Sequence, residues 1–201
     1  GSGSVSYSFQ PAESFYRKFD IGVSGSYFHY DYDLTYRKFS AFANMNFSKN
    51  PRSEIGRNLG FSYNFFEKDL NPKMIEDKEY AKYNLWNLGY GYSDRSLIHE
   101  KYLGANLQWM EDFQKISTEA SYRWEFAQDK KVSFRFFGGY FFTNNTKNNL
   151  FDYGISRVSN YSFSYGLLGQ SATSGILSQQ LILAEGGFKS DVGNSVNQWI
   201  S

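Results

Sequence analysis

Two histidines are the residues of this chain best equipped for chemistry, and their surroundings restrict what that chemistry could be. His29 lies in Tyr27-Phe28-His29-Tyr30-Asp31, and His99 in Leu97-Ile98-His99-Glu100-Lys101. A zinc-peptidase helix needs His-Glu-x-x-His on one helical face. Here Lys101, Tyr102 and Leu103 follow His99-Glu100, so the second ligand is missing. A lone histidine with Ser and Asp could serve a lipase or acyltransferase at the rim of a barrel, using His29 with Asp31, or His99 with Ser96 and Asp94. A histidine beside hydroxyls and acids is common, so a hydrated ring at a strand end is the plainer reading. No catalytic residue is assigned. There is no cysteine, so thiolate metal sites, disulfides and cysteine nucleophiles are excluded for this chain. No metal and no cofactor are expected.

Charge offers a second kind of chemistry. The formal net charge is +1, with both signs interleaved and no basic stripe, which argues against a nucleic-acid partner. Glu119, Arg123 and Glu125 recur at every second or fourth residue, and Ser133 and Arg135 come after a short turn. In paired strands these would share one face with Asn106 and Gln108, and Arg135 would stand opposite Arg123 or Ser121, within diagonal reach of an acid. Such a set reads as a polar network lining a lumen. A cross-link that holds the sheet together is preferred over a device for ion selectivity.

The elements that must carry these residues are set by a period of two. In Ile116-Ser117-Thr118-Glu119-Ala120-Ser121-Tyr122-Arg123-Trp124-Glu125-Phe126 one face is Ile, Thr, Ala, Tyr, Trp and Phe, and the other is Ser, Glu, Ser, Arg and Glu. A strand sends successive side chains to opposite faces. Seven such strands are expected, over 19–30, 36–47, 54–66, 80–93, 101–110, 116–126 and 131–142. Beyond them, 153–164 and 177–189 are weaker candidates, for a total of about eight to ten. Aromatics make up 20% of 201 residues, yet mean hydropathy is only −0.56. No run reaches the roughly 18 apolar residues of a membrane helix. Strands of about nine to eleven residues, apolar outside and polar inside, are what a transmembrane barrel requires. The expected fold is therefore all-β: a transmembrane antiparallel up-and-down barrel, complete or in part.

Several details agree with that expectation. Tyr27, Tyr30, Trp86, Tyr92, Trp109, Trp124 and Tyr140 lie towards strand ends, as interfacial aromatic belts do. Glycines on the polar face of the third to fifth strands would relieve crowding inside a curved sheet. Asp31–Leu34, Glu111–Phe113 and Gln128–Lys130 are hairpin-sized, whereas Glu67–Glu79 is long and densely charged, as an extracellular loop would be. Residues 1–18 read as an N-terminal linker or loop, and 19–201 as the barrel. No signal-peptide pattern opens the chain, and Trp199 stands two residues from its end, so a mature or excised fragment is expected.

The stretch Phe151-Asp152-Tyr153-Gly154, then Ser162-Phe163-Ser164-Tyr165-Gly166-Leu167-Leu168-Gly169-Gln170, Ser174-Gly175-Ile176-Leu177-Ser178-Gln179-Gln180 and Ala184-Glu185-Gly186-Gly187-Phe188-Lys189-Ser190 resembles the C-terminal membrane-barrel portion of large Bacteroidota outer-membrane proteins, some of them metallopeptidase-like. The similarity is sharpest over about residues 150–190. It implies an outer-membrane location in a Gram-negative cell and carries over no catalytic residue, because the zinc motif is absent. The resulting expectation is an outer-membrane barrel acting as anchor, assembly subunit or porin-like pore. Its partners would be the lipid bilayer and other barrel segments or protein subunits. The alternatives are a rim enzyme acting on lipid, or a soluble β-barrel or sandwich that binds a ligand.

Overall fold

In the computed structural model, residues 1–12, 14–31, 34–47, 53–70, 81–147, 151–154, 195–196 and 198–200 are described. Their regular structure is entirely β. The strands are β1 (Ser2–Phe9), β2 (Lys18–Asp31), β3 (Leu34–Asn46), β4 (Ile55–Leu70), β5 (Lys82–Arg95), β6 (His99–Trp109), β7 (Phe113–Ala127), β8 (Lys130–Asn144), β9 (Tyr153–Gly154), β10 (Ser195–Val196) and β11 (Gln198–Ile200). The first eight succeed one another up and down in a single antiparallel sheet, and β11 adds to β8 at Gly138–Tyr140. Strands β9 and β10 form a separate two-stranded ladder.

The seven strands expected from periodicity correspond to β2–β8, each within about four residues at either end. Residues 1–18 differ from the linker expected there. Ser4, Ser6 and Ser8 alternate with Val5, Tyr7 and Phe9, and this short period-two run pairs with β2 from Ser2↔Ser26 to Phe9↔Phe19. The Gly-Ser opening disguised a strand, because small polar residues on one face leave the apolar ones as the only signal. Among the described residues the sheet is open: β1 forms one edge, and β8 with the short β11 forms the other. The later strand candidates, 153–164 beyond Gly154 and 177–189, lie outside the described residues, as does the charged connector from residue 71 onward.

The strand ends gather at two rims. The first rim holds the ends where β2 meets β3, β4 meets β5, β6 meets β7, and β8 ends. The second rim holds the β1–β2, β3–β4, β5–β6 and β7–β8 connections. At the β7–β8 turn Asp129 adopts φ 59°, a left-handed conformation that Asp tolerates better than most residues. Crowding on the polar face is plainest at Gly22. A Cβ there would lie 2.6 Å from the Val5 carbonyl oxygen and 2.7 Å from Phe42 Cζ, so the Phe42 ring rests on bare backbone. Gly25, on the opposite face of the same strand, has nothing within 4 Å. Gly22→Val should therefore destabilise the sheet by about 1–3 kcal/mol, the usual range for overpacking. Gly25→Val should be near neutral. Denaturant midpoints of the two variants measure the difference, and equal losses would contradict the packing described.

Candidate functional site

One face of the sheet is apolar and, among the described residues, uncovered. Ile21, Val23, Phe39, Phe61, Leu88, Tyr90, Leu103, Phe134 and Phe136 all stand exposed on it. Among the described residues, charges on this face occur only near the rims. On β4, Arg57 and Glu67 bracket Leu59, Phe61, Tyr63 and Phe65. At the first rim Glu67 bonds Lys82 at 2.6 Å and Arg37 at 3.5 Å. At the second rim Asp94 pairs in register with Lys101, and Arg57 sits over the Tyr92 ring at 5.8 Å. The stretch of β4 between its two charges is about 33 Å long at 3.3 Å per residue. At a strand tilt of about 40° it would span about 25 Å, the height of a barrel's lipid-facing band.

Aromatic rings collect at both borders of this band. Towards the first rim, Trp86 and Trp109 stack with centroids 6.2 Å apart, and Tyr63 and Phe61 extend the group to 4.5 and 5.7 Å from Trp86. Exposed Tyr27 and Tyr140 lie towards the same border. Towards the second rim stand Tyr92 and Trp124, with Phe126 5.8 Å from the latter. Of the expected belt, Tyr30 is placed only by its backbone in β2.

The opposite face is polar and joined side chain to side chain. Ser40 donates to Asn64 Oδ1 at 2.7 Å, Asn64 Nδ2 to Ser62 at 3.0 Å, Asn87 Nδ2 to Ser62 at 3.3 Å, and Gln108 Nε2 to Asn87 Oδ1 at 2.7 Å. This row crosses β3, β4, β5 and β6. Farther along, Arg135 Nε meets Glu119 at 2.7 Å, Arg123 meets Glu100 at 2.5 Å, and Lys131 meets Glu125 at 3.4 Å. Register puts Arg135 opposite Ser121, and its carboxylate partner lies on the diagonal. Glu119, Arg123, Glu125 and Arg135 thus form three separate ion pairs, with Glu100 and Lys131 as partners that periodicity alone does not single out. Asn106 lines a cleft of about 410 Å³ on this face, with Asn58, Gly60, Gly104, Ser117 and Phe137.

At the first rim the polar face carries an aromatic cluster. Phe66, Tyr83, Leu85, Phe113, Phe137 and Phe141 are buried there under Phe151 and Tyr153. The segment 151–153 returns across the sheet as a strap. Phe151 packs 5.0 Å from Phe113 and 5.4 Å from Tyr83. The Tyr153 ring lies on Gly139, where a Cβ would come within 2.6 Å of it, and its hydroxyl donates to the Ile116 carbonyl at 2.6 Å. Lys115, 2% exposed, donates to the Phe151 carbonyl at 2.6 Å. Its ammonium also sits 4.8 Å from the Tyr153 ring, 5.2 Å from Phe141 and 5.5 Å from Phe113. Three Phe doublets signal this cluster in the sequence: Phe65-Phe66, Phe136-Phe137 and Phe141-Phe142. In a strand one ring of each doublet must face the polar side.

His99 does not form a catalytic set. It lies on the apolar face near the second rim, where its Nδ1 is 2.8 Å from the Tyr122 hydroxyl. Ser96 donates instead to the backbone carbonyl of His99 at 2.6 Å, and Asp94 accepts from the Ser96 N–H. The His29 side chain lies outside the described residues. Among the described residues no group of three His, Asp or Glu could hold a metal ion. Comparison with protein-family models, curated proteins and solved structures gives no match.

The two kinds of polar contact should differ in strength. Replacing buried Asn64 by Leu strands the Ser40 hydroxyl and should cost about 1–3 kcal/mol. The more exposed Arg123–Glu100 pair should show a coupling below about 1 kcal/mol in a double-mutant cycle, and less in high salt. Equilibrium unfolding of the variants at two salt concentrations checks both.

Proposed function

We propose that this chain forms the membrane-spanning wall of an outer-membrane β-barrel, serving as an anchor or as the frame of a passage. The observation that carries this reading is the uncovered apolar face, bordered by aromatic rings and charges at a spacing suited to a bilayer. Water-soluble proteins rarely leave contiguous apolar patches above a few hundred Å² exposed. Here large apolar side chains are exposed on every strand from β1 to β8. In lipid that face would be solvated, while the polar row and ion pairs would line the interior.

A membrane wall must satisfy every backbone group, so the open edges at β1 and β8 must be paired in the bilayer. Further strands of the same protein, or partner subunits, would supply that pairing. The resemblance of residues 150–190 to Bacteroidota outer-membrane barrels agrees with this reading and suggests the same location. The long connector between β4 and β5 against the two-residue β7–β8 turn suggests that the first rim faces outward, since outer-membrane barrels place longer loops outside.

Refolding into detergent or vesicles should give a β-type circular dichroism spectrum and a band that migrates faster unheated than boiled. Phe61→Arg, at mid-height on the apolar face, should cost about 2–4 kcal/mol of stability in vesicles. Glu67→Arg, on the rim, should cost much less. Folding in plain buffer with Phe61→Arg tolerated would refute the membrane reading.

A further inference from the structure

We infer that the strap Phe151–Tyr153 is a stopper that shuts the polar face at the first rim, and that Lys115 is the pin that holds it. The inference rests on the membrane-barrel reading above, in which this face lines the interior. The contacts are of three kinds. Phe151 fills a socket of Tyr83 and Phe113, contributed by two different strands. Tyr153 rests on the bare backbone of Gly139 and bonds the Ile116 carbonyl. Lys115 holds the strap's own backbone at the Phe151 carbonyl while surrounded by rings.

The position of the stopper gives it a consequence. Phe137 belongs both to the aromatic cluster and to the wall of the 410 Å³ cleft, and its ring is 5.8 Å from Tyr153. The cleft therefore adjoins the strap through Phe137, on the side away from the first rim. Its glycine floor, its amides and its Ser117 and Glu119 would suit a small hydrophilic solute, which the strap would keep from entering by the first rim. A buried lysine held by a carbonyl and π-faces, rather than by packing alone, is a contact that can be broken at one point. This differs from a sheet sealed by a continuous apolar core.

The absence of cysteine allows a direct test. The refolded chain is inserted in vesicles, and insertion is verified by the unheated gel shift. Ser117→Cys, in the cleft, is then exposed to a membrane-impermeant thiol reagent, alone and combined with Lys115→Met or Tyr153→Ala. Labelling should be slow in the single variant and about tenfold or more faster once either strap contact is lost. A second pair, Asn144→Cys with Asp152→Cys, replaces side chains whose Nδ2 and Oδ1 lie 3.4 Å apart, and closure of the bond is verified by loss of free thiol before leakage is read. Its disulfide should suppress solute leakage through the Lys115→Met protein, and reduction should restore it. Equal labelling in all variants, or leakage unaffected by the disulfide, would overturn the stopper. A chain that shows no gel shift and no insertion defeats the barrel reading itself, and the stopper with it.

Discussion

The structure depends on a single constraint: an apolar sheet face against which, among the described residues, no other layer packs. Burial of apolar surface is the main favourable term in folding, yet among the described residues large side chains such as Phe39, Phe61, Leu88 and Phe134 touch only their neighbours within the sheet and keep a large share of their area exposed. Water is a poor solvent for such a face, and the backbone cannot remedy this by turning residues over. A one-residue slip would bring Glu119, Arg123 and Arg135 to the apolar side and leave their partners unmatched. On the proposed membrane reading, register, charge placement and the aromatic borders all follow from one requirement, that this face meet lipid.

The polar face solves the opposite problem. It is not wet by default: Ser40, Asn64 and Lys115 are buried there, and each has a named partner. Short side chains joined across neighbouring strands give the sheet lateral connections beyond its backbone ladder. Among the described residues the substantial core sits at one end of this face, under the strap. There the chain buries Phe66, Phe113, Phe137 and Phe141, the rings that the apolar face does not use. Gly22 and Gly139 are small because a ring from elsewhere must lie on them.

Much of this was legible in the sequence, because a strict period of two is the strongest signal a strand can give. Strands β2 to β8 and the division into an apolar and a polar face come from it directly. The N-terminal strand was obscured by its serines, which made half of its alternation resemble a linker. The ion pairs were legible as a set but not as couples. Arg123 chooses Glu100 because the β6–β7 register sets them opposite, and Glu125 chooses Lys131 because a bulge between Glu125 and Ala127 shifts the β7–β8 register. The strap was hidden altogether. Nothing in the spacing of Phe151 and Tyr153 announces that they return across the sheet, although the Phe doublets imply that something apolar must cover the polar side near one rim.

The central claim is that the apolar face meets lipid, and β4 tests it most directly. Single cysteines placed in turn from position 57 to 67 and spin-labelled in vesicles would report collisions with oxygen, which concentrates in lipid, and with a water-soluble nickel chelate. A membrane wall gives a period of two, with oxygen favoured at 59, 61, 63 and 65 and falling away at 57 and 67. Uniform access to the water-soluble agent along the strand, or oscillation with the opposite phase, would contradict the assignment of that face to the bilayer.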